Sequence, residues 1–292
     1  MKTYTRKSHD NFDSKQVFAA AASLPLALVL GATEVQATEP CDDFGECKVL
    51  VEINASDGDI GFHWLVDGDD LNSVRIDDPN GKKVYENKAF GPLRDQKLTE
   101  TFGESAEPVC REALKEDEDD VVVTVEDFAE RWTSGAYDIS GSADGGEKLS
   151  GETHLSHYLP AAPEVSFVGG TSVQWTPGND LGACATEAEL LQLVADGVLP
   201  IHPSQVPLAA WEVVVELDDG SGLFFATRLP VGQTSITLPA EFLGAIPADT
   251  PAKVEVGAIG GNLAIGDDDN ATFTELGDLC LNETAAGCPE EE

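Results

Sequence analysis

Basic residues are scarce in this chain of 292 residues, which holds 17 Lys and Arg against 54 Asp and Glu. The formal net charge is −37 at pH 7. A surface with this much negative charge repels phosphate backbones and anionic lipid headgroups. Nucleic acid and membrane surfaces are therefore not expected partners. The acidic residues are spread along the whole chain, which favours a solvating surface over two alternatives, a sink for divalent cations and an attractant for a basic partner.

Long apolar runs are absent after the first 40 residues, so no bilayer-spanning segment is expected there. The early run at 17–32, "VFAAAASLPLALVLGA", follows four basic residues, Lys2, Arg6, Lys7 and Lys15. Val35 and Ala37 supply the small residues of a cleavage site. The pattern predicts a signal peptide at 1–37 that is cleaved after Ala37, and a secreted or periplasmic product.

Cysteine spacings of the CxxC type are absent, which removes the main sequence support for zinc sites and thioredoxin-like redox chemistry. Six cysteines are nevertheless present beyond the predicted cleavage site: Cys41, Cys47, Cys110, Cys184, Cys280 and Cys288. An even number in an exported chain predicts disulfides. Six cysteines allow 15 pairings, and the sequence does not choose among them, although Cys280 and Cys288 are spaced for a local loop.

Motifs of the common enzyme classes are also absent: the chain has no G-x-S-x-G, H-E-x-x-H, Walker or G-x-G-x-x-G pattern. No catalytic residue, metal ligand or cofactor is therefore predicted, and the chain is expected not to be an enzyme. A catalytic site in the insertion at 178–207 is the remaining alternative, which would require a concave pocket with converging polar groups beside residues 184–205.

The chain does contain many short β-branched or aromatic-rich runs, separated by turn signals such as "SDGD", "DPNG" and "SAEP". In the first half the predicted strands are 48–54, 61–67, 72–77, 82–87, 98–104, 121–125, 136–142 and 148–157. In the second half they are 172–177, 209–217, 222–229, 234–239, 252–259 and 270–276. Such spacing predicts an all-β fold of two tandem antiparallel β-sandwiches.

The stretch "YLPAAPEV" at 158–165 is the expected domain junction, because its prolines favour extended backbone. The predicted organisation is domain 1 at 41–159, a linker at 160–163, domain 2 at 163–277 with its insertion at 178–207, and an acidic, Cys-containing tail at 278–292. The insertion is expected to hold one short helix, since Thr186 and Glu189 match a capping box and Gly197 a helix stop.

The two halves also resemble each other. "VTVEDF" at 123–128 and "ITLPAEF" at 236–242 agree apart from one inserted residue, and each precedes a strand, a Gly-rich turn and a final strand. This weak repeat predicts two copies of one sandwich topology.

Domain 2 resembles a fibronectin type III module over about 163–277. Trp175 and Trp211 take the two aromatic positions of that family, and "LGAIPADTPAKVEVGA" at 243–258 supplies its Leu, Pro, Thr and alternating Val positions. Ala252 stands where the family has a tyrosine, whereas the more remote, immunoglobulin-like or fibronectin-like domain 1 keeps Tyr137 there. The resemblance implies a spacer or recognition platform with binding loops at one pole, around 178–207 and 259–270.

The aspartates of the acidic stretch "DGDIGFHWLVDGDD" at 57–70 are expected to lie in turns. Asp57 and Asp59 precede the predicted strand 61–67, and the remaining aspartates follow it, so the two groups lie roughly 20 Å apart and cannot share one ion. Calcium binding at one end is the alternative. The acid runs 116–120 and 266–270 are likewise expected to be solvated loops, with calcium-dependent ordering as the alternative.

The remaining histidines have little support as ligands. His154 and His157 are predicted to face opposite sides of one strand, and His202 to lie in an exposed loop. Together the observations predict an exported, non-catalytic binding or scaffold protein at or outside a bacterial envelope, with an unidentified protein or glycan partner. The alternatives are a calcium-dependent structural or adhesive protein and, third, the enzyme described above.

Overall fold

The described residues form three β-sheets in a computed structural model of the protein. The structure describes residues 41–217, 220–248, 250–261 and 270–281. The predicted signal peptide, most of the acid run 266–270 and Cys288 lie outside the described residues. No helix among the described residues is long and apolar enough to cross a membrane.

Seven strands belong to each half of the chain. The first seven are β1 (Glu46–Asn54), β2 (Asp59–Leu71), β3 (Ser73–Asp77), β4 (Lys83–Lys88), β5 (Leu98–Glu104), β6 (Gly135–Ser142) and β7 (Lys148–Leu155). The next seven are β8 (Glu164–Val168), β9 (Ser172–Thr176), β10 (Leu208–Leu217), β11 (Phe224–Pro230), β12 (Ser235–Thr237), β13 (Pro251–Gly260) and β14 (Ala271–Cys280). The short helices are α1 (Pro92–Gln96), α2 (Val125–Arg131), α3 (Glu187–Ala195) and α4 (Ala240–Ala245).

The two halves have the same topology. The first half contributes the strand order β1-β2-β5 to one sheet and β4-β3-β6-β7 to another. The second half repeats this order as β8-β9-β12 and β11-β10-β13-β14. The all-β class and the predicted repeat are therefore confirmed, whereas the residues chosen as domain boundaries remain a prediction.

The two sandwiches share one sheet. β1 pairs in parallel with β14, with Ile53 opposite Thr272, and this pairing creates the seven-stranded order β11-β10-β13-β14-β1-β2-β5. Within each sandwich the strands pair antiparallel, as predicted; the parallel pairing, which was not predicted, lies between the two sandwiches. Both strands would otherwise be exposed sheet edges, and their pairing satisfies the backbone groups of each.

Alternation of side chains separates the two faces of the shared sheet. In β1 the buried positions alternate with half-buried ones, so that Val49, Val51 and Ile53 enter the core. The first core packs these residues against the four-stranded sheet β4-β3-β6-β7. The second core packs the inner face of β10 and β13 against the three-stranded sheet, with Trp175 and Trp211 edge to face at 6.1 Å.

The insertion between β9 and β10 packs on the first core rather than on the second. As predicted, it contains one short α-helix, α3, whose capping box joins Thr186 and Glu189. Leu181, Leu190 and Leu199 are buried in the first core. The disulfide Cys110–Cys184 ties the insertion to the first half, and a second disulfide joins Cys41 to Cys47. Cys280 is also disulfide-bonded.

Two local predictions were wrong because they were made from residue type, whereas hydrogen bonds determine the structure of both segments. The valine-rich segment 121–125 is not a strand: Thr124 and Asp127 form a capping box that starts α2. The sequence "DGDD" at 67–70 is not a turn, since β2 continues to Leu71 through a bulge opposite β5. β8 was not predicted, and β14 continues to Cys280, beyond the predicted end at 276.

Candidate functional site

The outer face of the seven-stranded sheet carries a row of acidic side chains across five neighbouring strands. The half-buried residues of this row, here called the acidic face, are Glu212 on β10, Glu255 on β13, Glu275 on β14, Glu52 on β1 and His63 on β2. They share a face because the pairing places Glu255 opposite Glu275. Like charges placed opposite each other destabilise a sheet. Lys253 offsets part of this cost by pairing with Glu275 at 3.3 Å, and Arg228 by pairing with Glu212 at 3.8 Å.

Three donors converge at one end of the acidic face. Pairing of β1 with β2 places Glu52 opposite Gly61 and Leu50 opposite His63, so Glu52 and His63 are diagonal neighbours on one face. Glu107 approaches from the segment after β5. Among the described residues, these are the one set of three His, Cys or carboxylate side chains whose donor atoms all lie within 4.8 Å of one another. We call them the Glu–His–Glu cluster.

Backbone hydrogen bonds hold Glu107 over β2. The Ser105 N–H donates to the Phe62 carbonyl at 2.8 Å, and the Ile60 N–H donates to the Pro108 carbonyl at 3.3 Å. Glu107 lies between these two anchoring points. Its Oε1 is 3.3 Å from Nε2 of His63, and the side chains are 38% and 19% exposed. The cluster is therefore open to solvent on one side.

Gly61 forms the floor of the cluster. A Cβ atom at this position would lie 2.9 Å from Oε1 of Glu107 and 3.0 Å from Nε2 of His63, so the ends of both side chains would have to shift. Any other residue at position 61 would therefore displace two of the three donors. Here the strand glycine serves a close approach of side chains.

The carboxyl of Glu52 is electrostatically unfavourable in its charged form. Burial, with smaller contributions from Glu107, Glu255 and Glu212, raises the pKa of Glu52 to about 7, although His63 opposes the shift. No hydrogen bond or ion pair to this carboxylate occurs among the described residues. A half-buried carboxylate without a hydrogen bond is costly.

The other groups near the cluster are shifted for related reasons. Burial favours neutral His63, but the hydrogen bond to Glu107 and the charges of Glu52 and Glu107 outweigh burial and raise the pKa of His63. Burial, together with Glu107 and Asp57, raises the pKa of Asp59 to about 6. Uncompensated negative charge thus concentrates around the cluster.

The acidic stretch 57–70 divides between two structures. At its start the turn prediction holds: Asn54 Oδ1 accepts from the N–H groups of Ser56 and Asp57, and Gly58 takes a φ of 72°. At its end the aspartates lie in the bulged part of β2. His63 lies between the two ends and faces Glu52 and Glu107, neither of which the sequence had connected with it.

An acidic cleft of about 550 Å³ lies beside the cluster, where the run 116–120 meets the turn at 57–59. Its lining includes six carboxylates, those of Asp57, Asp59, Glu107, Glu116, Asp119 and Asp120. Asp120 accepts hydrogen bonds from the N–H groups of Glu116 and Asp117 and so organises its own loop. Calcium needs six to eight converging oxygens. The carboxylates of the cleft do not form a set of three within 4.8 Å among the described residues.

A second cleft, of about 390 Å³, lies beside the insertion, where the enzyme alternative requires a pocket. Its lining includes Val125, Leu193 and the Cys110–Cys184 disulfide. Of its five charged residues, Arg111 and Glu189 pair with each other, and the other three are Glu112, Glu126 and Asp196.

Among the remaining described histidines, His157 and His202 have structural partners, and the structure corrects one prediction about each. β7 ends at Leu155, so His157 lies beyond the strand, where its Nε2 is 2.8 Å from the Trp132 carbonyl. His202 is half-buried rather than exposed, and its ring contacts Glu187 and Ser204. Nδ1 of His154 is buried without a hydrogen-bond partner.

Tyr137, the tyrosine that the resemblance singled out in domain 1, lies near the start of β6. Tyr137 is fully buried, and its hydroxyl donates to the Thr133 carbonyl at 3.2 Å, the arrangement known as a tyrosine corner in β-sandwiches. Ala252, at the corresponding place in the second half, is also fully buried but has no hydroxyl to make this bond.

No protein family and no curated protein sequence matches this chain. Among solved structures, it is similar to a segment of two fibronectin type III domains from chicken tenascin, with 12% sequence identity and a TM-score of 0.24. The alignment covers 81% of this chain and 99% of that one. A TM-score this low does not support an inference about family or function, and the fibronectin type III resemblance stays a prediction.

Proposed function

We propose that the chain is an exported, non-catalytic β-sandwich protein that acts as a binding or scaffold module at or outside the cell envelope. Its two halves are fibronectin type III-like sandwiches. Its partner is an extracellular or envelope protein or glycan.

The observation that carries the proposal is the seven-stranded sheet that runs through both halves. Main-chain hydrogen bonds between β1 and β14 join the two sandwiches into one continuous sheet, whose outer side carries the half-buried acidic face. A broad, rigid surface suits recognition of an extended partner, whereas catalysis of small molecules requires a concave site with converging groups. The disulfides Cys41–Cys47 and Cys110–Cys184 support folding in an oxidising compartment.

Export is tested by producing the full chain in a secreting bacterial host and analysing the product by mass spectrometry. We expect a mature chain that begins at Thr38, is found outside the cytoplasm and has no free thiols. The matched control is Leu28→Arg, which interrupts the apolar run and should leave the chain in the cytosol. A wild-type product retained in the cytosol with free thiols would overturn the proposal.

Binding is tested on immobilised envelope fractions and glycans with two charge-reversed variants. Glu212→Lys changes the acidic face, and Glu152→Lys makes the same change at an exposed position on β7, in another sheet. We expect the first variant alone to lose retention. A hydrolase-type activity that a single point substitution abolishes would refute the non-catalytic part.

Calcium dependence is the alternative role, which the acidic cleft supports only in part. The cleft brings the two acidic loops together, but its carboxylates do not form the close donor set that the ion requires.

A further inference from the structure

We propose that the Glu–His–Glu cluster is a binding site for one divalent transition-metal ion of the zinc class, with Oε atoms of Glu52 and Glu107 and Nε2 of His63 as ligands. This inference goes beyond the scaffold role and does not depend on it, since it concerns only the donors on the acidic face.

The separation of the donors fits a metal of this size. Zinc binds imidazole nitrogen and carboxylate oxygen at about 2.0–2.2 Å, so two ligands at a tetrahedral angle lie about 3.3–3.5 Å apart. The separation between Nε2 of His63 and Oε1 of Glu107 is 3.3 Å. All three donors lie within 4.8 Å of one another, so a change in the side-chain torsion angles of Glu52 brings its oxygen into the same sphere.

An ordinary ion pair accounts for only part of this arrangement. It explains why His63 lies beside Glu107, but not why a second, half-buried carboxylate lies beside the same imidazole without a hydrogen bond among the described residues. A dication between the three donors would satisfy Glu52 and neutralise the charge that Glu255 and Glu212 place nearby.

The donor types select the class of cation. Calcium and magnesium take oxygen ligands and require six or more of them, whereas imidazole suits zinc, copper, nickel and iron. Three protein ligands leave a fourth position for water or an exogenous group, and Glu107, 38% exposed, keeps this side of the cluster accessible. The site therefore has the composition of an open zinc-type centre rather than that of a closed structural one.

The three ligands come from three separate segments. Glu52 lies on β1, His63 on β2 and Glu107 on the segment that follows β5. A metal ion would therefore tie the end of β5 to the strand that joins the two sandwiches. Binding should stabilise the fold against heat as well as fill the site.

The proposal is tested by equilibrium dialysis of the oxidised, chelator-treated full chain against Zn²⁺ at pH 7.5, with millimolar Ca²⁺ present to occupy diffuse acidic sites. Bound zinc is counted by elemental analysis. We expect one tightly bound equivalent and, when Co²⁺ replaces Zn²⁺, visible absorption typical of a four-coordinate ion. The change Glu152→Gln on β7 removes one carboxylate elsewhere, and it should leave binding unchanged.

Three variants make the test specific. His63→Ala and Glu107→Gln each remove one ligand and should weaken zinc binding at least as much as the 10–100-fold known for loss of outer-shell partners. Gly61→Ala keeps every ligand but places a methyl group against two of them, and it should also weaken binding. Circular dichroism and the metal-free melting temperature identify any variant that fails to fold, and Glu107→Gln, at a partly exposed position, remains informative in that case.

Two outcomes would overturn the proposal. One is the absence of a tightly bound equivalent in the wild-type chain. The other is equal zinc binding by the wild type, by folded His63→Ala and by Glu107→Gln, which would assign the bound ions to the general negative surface. Neither outcome bears on export or on retention by envelope components.

Discussion

Replacing Glu52 by Gln should stabilise the metal-free protein at alkaline pH. Burial raises the pKa of Glu52 from 4.5 to about 7, so the folded chain keeps a proton that the unfolded chain has released. Each pKa unit corresponds to 1.36 kcal/mol, and a shift of this size therefore makes ionised Glu52 cost the fold about 3 kcal/mol. Glutamine cannot ionise and should recover much of this free energy.

The sign of the pH dependence follows from the same difference. Below about pH 4.5 Glu52 is protonated in both states, and its contribution to stability is fully retained. As the pH rises towards 7, the unfolded chain loses the proton first and stability falls. His63 acts in the same direction, since its pKa is also raised and the benefit of its protonated form is lost as the pH rises through that pKa.

The assay is urea denaturation in the presence of a chelator, at pH values from 5 to 8.5. We expect the free energy of unfolding of the wild type to fall over this range and that of Glu52→Gln to fall less, with the largest difference above pH 7.5. Glu152→Gln, the control at an exposed position, should follow the wild type. If Glu52→Gln is less stable than the wild type at pH 8, the argument from burial is wrong.

Three further predictions concern the fold. Tyr137→Phe removes the hydroxyl that bonds to the Thr133 carbonyl and should lower the free energy of unfolding by about 1 kcal/mol in urea denaturation; an unchanged value would contradict a role for the tyrosine corner. Replacing Cys110 and Cys184 together by Ala removes a disulfide with a sequence separation of 74, and it should lower the free energy of unfolding by about 2–4 kcal/mol in the same assay. The control is a double variant of Cys41 and Cys47, whose disulfide has a sequence separation of only 6. The melting temperature should be the same in millimolar calcium and in chelator. A higher melting temperature in calcium than in chelator would favour the calcium-dependent role.

Much of the fold was predictable because strand signals are local. The β-branched run 48–54, which a turn signal follows, identified β1, and Asn80-Gly81 marked the β3–β4 hairpin. The segment 121–125 was misassigned because its valines suggested a strand, while the capping box at Thr124 and Asp127, which starts α2, was overlooked.

The candidate site was less predictable because its geometry depends on distant parts of the chain. Glu52 and His63 could have been placed on one face from the pairing of two successive strands. Glu107 lies 44 residues after His63 and reaches it only because the segment following β5 stays bonded to β2. The parallel pairing of β1 with β14 joins strands from the two ends of the described chain, and no local pattern specifies such a contact.

The parallel pairing also determines how the molecule would carry tension. Because β1 and β14 run in the same direction, the chain enters at Glu46 and leaves at Cys280, towards opposite ends of the pair. A pull on the two ends would slide the strands past each other, so their hydrogen bonds would share the load instead of breaking one after another. The joined sandwiches should therefore resist stretching as a single body, unlike domains connected by a flexible tether.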